Sequence, residues 1–228
     1  MTSTQITSTL ASWSLPDPLV GSGHDARSSE NGLLTILYAG LERASQLEWL
    51  NAGRTLVDKT YVNILWQAAE LPSIGVTSQR IASELDAFVR AHLQPLWLKL
   101  EHLSHEEKHS LSVSLVETCA GKVFGSGYHE EAASWLLYYL CPQLPVFPMS
   151  ETLNASLNTG LNQTETSGSY KHYHQRCRQY YSLLLPHLHS TTPKAAYGNP
   201  REIDIVNQVL KGSDWWQRRC FVHYLRQD

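Results

Sequence analysis

The run His105-Glu106-Glu107-Lys108-His109 sets two imidazoles four residues apart with a carboxylate between them. On a helix this spacing stacks both rings on one face, one turn apart, where they could grip zinc while Glu106 activates a metal-bound water. A third ligand would have to come from elsewhere, and Glu117, Glu130 and Glu131 are the nearest downstream carboxylates. The same residues have a plainer use. In an enclosed metal-site helix the two positions before the second His would be apolar, whereas Glu107 and Lys108 suit a solvated face. Ser104 and Glu107 also match a capping box, in which each side chain satisfies a backbone donor of the first turn. Glu106 and Glu107 complement the positive helix N-terminus. His105 and His109 are the metal candidates, set against a simple helix start, and no pattern in the chain calls for a cofactor.

A second cluster, Tyr170 to Tyr181, interleaves cations with aromatics. At helical spacing Tyr170, Tyr173, His174, Cys177 and Tyr181 fall on one stripe, with Lys171 and Arg178 on another beside His172 or Gln175. Aromatics beside Arg suit stacking on unpaired bases with the cations on phosphate. They equally suit a core-facing Tyr stripe with a basic edge. His172, His174 and Cys177 could bind a metal, but no fourth ligand is at hand. Trp215, Trp216, Arg218 and Arg219 pose the same choice between base contact and packing of a last helix. Gly125-Ser126-Gly127-Tyr128 supplies the third feature. Two glycines between helices let backbone approach a phosphate, and amides at the next helix start donate to it; they also simply make a tight turn. The expected nucleic-acid contacts are Gly125, Gly127, Tyr128, Lys171, Arg178, Arg218 and Arg219.

Helices must position all of these groups. Residues 1–31, rich in Ser, Thr, Gly and Pro, read as a flexible leader. From Gly32 apolar residues recur at three- and four-residue steps: Leu33, Leu34, Leu37 and Leu41 start a helix that runs to Gly53. A second passes Leu56, Val62, Leu65 and Trp66 towards Pro72. A third starts at Thr77 or Ser78 and should break or kink at Pro95. Further helices follow from Ser104 to about Cys119, over His129–Leu140, over Tyr170–Leu185, from Asn199-Pro200 to Gly212, and after Asp214. Residues 151–169 are polar, small and nearly uncharged, and read as a short helix at most, then a flexible loop near 156–169. Sustained strand alternation is missing. The expected fold is all-α, an orthogonal multi-helix domain over residues 32–228 containing a helix-hairpin-helix at Gly125–Gly127.

The phrase Ala132-Ala133-Ser134-Trp135-Leu136-Leu137-Tyr138-Tyr139-Leu140-Cys141-Pro142-Gln143-Leu144-Pro145-Val146-Phe147-Pro148 follows that hairpin. With the Tyr-rich helix and Arg201-Glu202-Ile203-Asp204, it resembles the bacterial 8-oxoguanine DNA glycosylase-like helix-hairpin-helix proteins over about residues 115–228. The resemblance implies a DNA-binding helical fold in a prokaryotic setting such as defence. It also implies a degenerate active site. Such enzymes use a Lys shortly after the hairpin glycines as nucleophile and an Asp at the end of the phrase. Here those positions hold His129 (or Glu130, one residue on) and Pro148, so base excision should be absent. What remains is a non-catalytic nucleic-acid-binding or accessory protein. The alternatives are a helical protein–protein interaction subunit, or a zinc hydrolase through His105, Glu106 and His109.

Bulk composition narrows the class. Of 228 residues 42% are hydrophobic and 17% charged, with seven Trp and eleven Tyr, which favours a packed globular chain. Cys119, Cys141, Cys177 and Cys220 are scattered without ligand spacing, as buried reduced thiols would be. The N-terminus lacks a signal-peptide pattern and no apolar run is long enough for a membrane helix, so a cytoplasmic protein without membrane contact is expected. The net charge of −3 hides an asymmetry of −8 over residues 1–169 and +5 over 170–228. A basic end on an acidic body can face nucleic-acid phosphate, or an acidic surface of the same chain or a protein partner.

Overall fold

A computed structural model describes residues 57–125, 127–164, 168–188 and 215–226. The expected leader, the first helix, the helix after Asn199 and the cap Asp214 lie outside the described residues. Within them the fold is all-α: every regular element is helical and none is a strand.

Helix α1 (Lys59–Ala68) starts at Asp58, whose carboxylate accepts from the Tyr61 N–H at 2.8 Å. Helix α2 (Ser78–Phe88) starts at Thr77, whose hydroxyl accepts from the Arg80 N–H. The chain then loosens into a π turn over Val89–Leu93 and tightens into a 3-10 helix over Gln94–His102. Pro95 is the cause. It has no N–H for the carbonyl one turn earlier, so the winding changes around it, with the Gln94 N–H reaching back to the Val89 carbonyl.

Helix α3 (His105–Lys122) opens on the expected capping box: Ser104 Oγ accepts from the Glu107 N–H at 3.3 Å, and Glu107 accepts from the Ser104 N–H at 2.8 Å. A turn leads to α4 (Glu130–Leu140), the most apolar helix, buried from Ala132 through Tyr139. Helix α5 (Glu151–Leu161) is capped by the Ser150 hydroxyl. The long α6 (Tyr170–Leu188) and α7 (Trp215–Leu225) complete the described fold. Helix α3 packs on α2, α4 and α6, while α5, α6 and α7 pack on one another. Their inner faces share one core, in which Trp135, Phe124, Phe147, Tyr170, Tyr180 and Phe221 are almost fully buried. All four cysteines are free and buried.

The expected flexible loop at 156–169 is corrected in its first part. Residues 156–161 continue α5, and the helix ends at Asn162 in the left-handed conformation (φ 52°), with the Gln163 N–H on the Asn158 carbonyl at 2.9 Å. The polar character that suggested a loop has another purpose. Asn154, Asn158 and Gln163 turn their amide oxygens onto the guanidinium of Arg176, which is 6% exposed. A buried cation is satisfied there by neutral acceptors, so the helix carries amides where an apolar stripe would be expected. Residues 165–167 lie outside the described residues.

Candidate functional site

The HExxH residues form a histidine chain that runs inward from the surface. His105 is exposed, whereas His109 and His174 are 6% and 3% exposed. His105 Nε2 lies 2.9 Å from His109 Nε2, and His109 Nδ1 lies 3.4 Å from His174 Nε2. The far end fixes the protons. His174 Nε2 also lies 2.9 Å from the carbonyl of Pro145, which only accepts, so that nitrogen carries hydrogen. His109 Nδ1 is then an acceptor, which puts the His109 proton on Nε2, donating to His105. A zinc ligand bound through Nε2 needs that nitrogen bare and its proton on Nδ1. In this chain such a proton would face the N–H of His174.

Glu106, the would-be base, is held elsewhere. Both its oxygens accept from Arg178 in a two-pronged pair, one bond at 2.8 Å and the other from Nη2 to Oε1. The Arg178 side-chain hydrogen bonds hold the Glu106 carboxyl below the usual carboxylate range. Among the described residues no three His, Cys, Asp or Glu side chains converge on a metal-sized site. His105 and His109 sit in a hydrogen-bonded imidazole chain, and Arg178 spends its fork on a carboxylate of its own chain. Burial pushes the imidazolium form out, so His109 is lowered to about 3 and His174 to about 4.

The aromatic and cationic stripe is likewise turned inward, onto the segment between α4 and α5. That segment carries Pro142, Pro145 and Pro148, and proline lacks the N–H needed for a helix or a central strand. It is nevertheless largely buried, so the backbone groups left over by its own turns (Leu144 N–H on the Cys141 carbonyl, Val146 N–H on the Leu144 carbonyl) must find partners among side chains. Arg218 donates to the Pro142 carbonyl at 2.7 Å. His174 donates to the Pro145 carbonyl. The Tyr170 hydroxyl donates to the Phe147 carbonyl at 3.0 Å and accepts from the Phe147 N–H at 3.2 Å. Tyr173 donates to the Pro148 carbonyl at 2.8 Å, and the Met149 N–H donates to Ser134 Oγ at 2.8 Å. Arg218 and Arg219 are 0% and 2% exposed, which corrects their expected place at a phosphate-facing surface. Of the expected cations on this stripe, Lys171 is the exposed one.

The turn Gly125–Gly127 lies at the surface, partly exposed, and its surroundings are mixed. Gly125 has φ +84°, a conformation that favours glycine, and a Cβ built there would lie 3.8 Å from Arg80 Nη2. On the other side the amide of His129, placed where a phosphate would be met, donates to the Ala120 carbonyl at 3.2 Å. Glu130 and Glu131 occupy the first turn of α4, where they satisfy the positive helix end. Tyr128 is 59% exposed, with its ring against Gly121 and its hydroxyl pushed up by burial and by Glu130 and Glu117.

Beside this turn opens a cleft of about 280 Å³. It is lined by Tyr128, His129, Glu130 and Glu131 together with the apolar Leu71, Pro72, Ile74 and Met149. The Glu130 carboxylate accepts from the Tyr170 N–H at 3.0 Å. Burial raises the Glu131 carboxyl, with a smaller push from Glu151. Sequence reasoning names the turn but misses the cleft, because its apolar wall comes from the segment after α1, far away in the chain. It also misses Pro142–Met149 as an acceptor strip, for which the repeated prolines were the available signal.

No family model matches this chain, and neither a curated protein nor a solved structure matches it. No helix among the described residues is long and apolar enough to cross a membrane.

Proposed function

We propose that this chain acts by binding and not by catalysis, as a helical protein-interaction subunit that engages a basic partner. One observation carries the reading: Glu130 and Glu131 line the cleft at the Gly125–Gly127 turn, an acidic setting where a phosphate-binding hairpin would have bare amides. Among the described residues, the HExxH side chains that could have done chemistry are occupied within the fold. Glu106 is on Arg178, and His109 has a partner at each ring nitrogen. Position 129 is an imidazole and position 148 a proline, so neither offers the amine and carboxylate of a base-excision enzyme.

A second reading, nucleic-acid contact by a degenerate glycosylase-like fold, is favoured by Arg80 beside Gly125 and by the exposed Lys171. One experiment separates the two. Peptides of graded positive charge and duplex or single-stranded DNA are titrated into the labelled full chain at low salt. Affinity that rises with peptide charge, without DNA binding, is the expected result. DNA binding that falls steeply with salt, and that Gly127→Glu weakens, would overturn it in favour of the second reading.

A further inference from the structure

We draw no further inference here: the strongest candidate, the three-imidazole chain that runs inward from His105 through His109 to His174 against the proline-rich segment between α4 and α5, belongs to the site already described, and nothing among the described residues beyond the titration of its own rings points to a ligand or to a second arrangement.

Discussion

The Tyr170 hydroxyl and the main chain of Phe147 exchange two hydrogen bonds, donating to the carbonyl at 3.0 Å and accepting from the N–H at 3.2 Å. Tyr170 is fully buried and Phe147 is 1% exposed, so water cannot replace either bond. A side chain that looks suited to base stacking thus serves as the backbone partner that a proline-rich segment cannot find in a ladder.

Tyr170→Phe keeps the ring and deletes both bonds. It should cost about 2–4 kcal/mol, because a buried donor and a buried acceptor are left without partners. Tyr173→Phe deletes a single bond, to the Pro148 carbonyl, and should cost about half as much. Urea unfolding of the two variants beside the parent protein gives the comparison. Losses below about 0.5 kcal/mol for both would mean that the segment is held by apolar packing alone.

The helical elements were legible because their signals are local. Capping at Thr77 and Ser104, the apolar period of α4 and the disruption at Pro95 each depend on residues within one or two turns. The site was not legible, because charge on a helix says nothing of which way it faces. Arg178 reads as a phosphate ligand until Glu106, 72 residues earlier, is found against it. Arg218 reads as a surface cation until its partner proves to be the Pro142 carbonyl. The amides of α5 look like loop composition until Arg176 is placed among them.

That amide cluster gives its own prediction. Arg176→Met fills similar space but strips Asn154, Asn158 and Gln163 of their common donor, and should cost about 1–3 kcal/mol. Arg176→Lys should recover part of the loss, since an ammonium restores the charge but cannot span three acceptors with a fixed fork. Thermal unfolding of the two variants tests the ranking. A lysine variant less stable than the methionine variant would show that desolvating the charge dominates.

Arg178→Glu and Arg218→Glu should behave differently although both reverse a charge on the basic stripe. Arg178 is half-buried and pairs with an exposed glutamate, so its reversal should leave the fold in place. Arg218 is fully buried, and a carboxylate there would face the Pro142 carbonyl without a donor. That variant should fail to accumulate as folded protein, by circular dichroism and limited proteolysis. A well-folded Arg218→Glu variant would mean that α7 can leave its place against the proline segment.

Acid should loosen the histidine chain. His109 and His174 titrate at about 3 and about 4 in the folded protein, against the ordinary imidazole value in the unfolded chain. Between those limits the unfolded chain binds more protons than the folded one, so stability rises with pH through the window. It is complete above about pH 6.5 and lost progressively as pH falls towards 4. The cause is burial: a charged His174 would sit among Phe147, Tyr170 and the Pro145 carbonyl, with Arg178 and Arg218 adding positive charge. His174 alone should account for on the order of 3 kcal/mol. Urea midpoints measured from pH 7.5 down to 4.5 should fall steadily. His174→Gln, which keeps a side-chain N–H for the Pro145 carbonyl and cannot titrate, should start lower but fall less steeply. A parent protein with the same midpoint at both ends of that range would show that His174 charges without penalty, and that the buried chain opens to water.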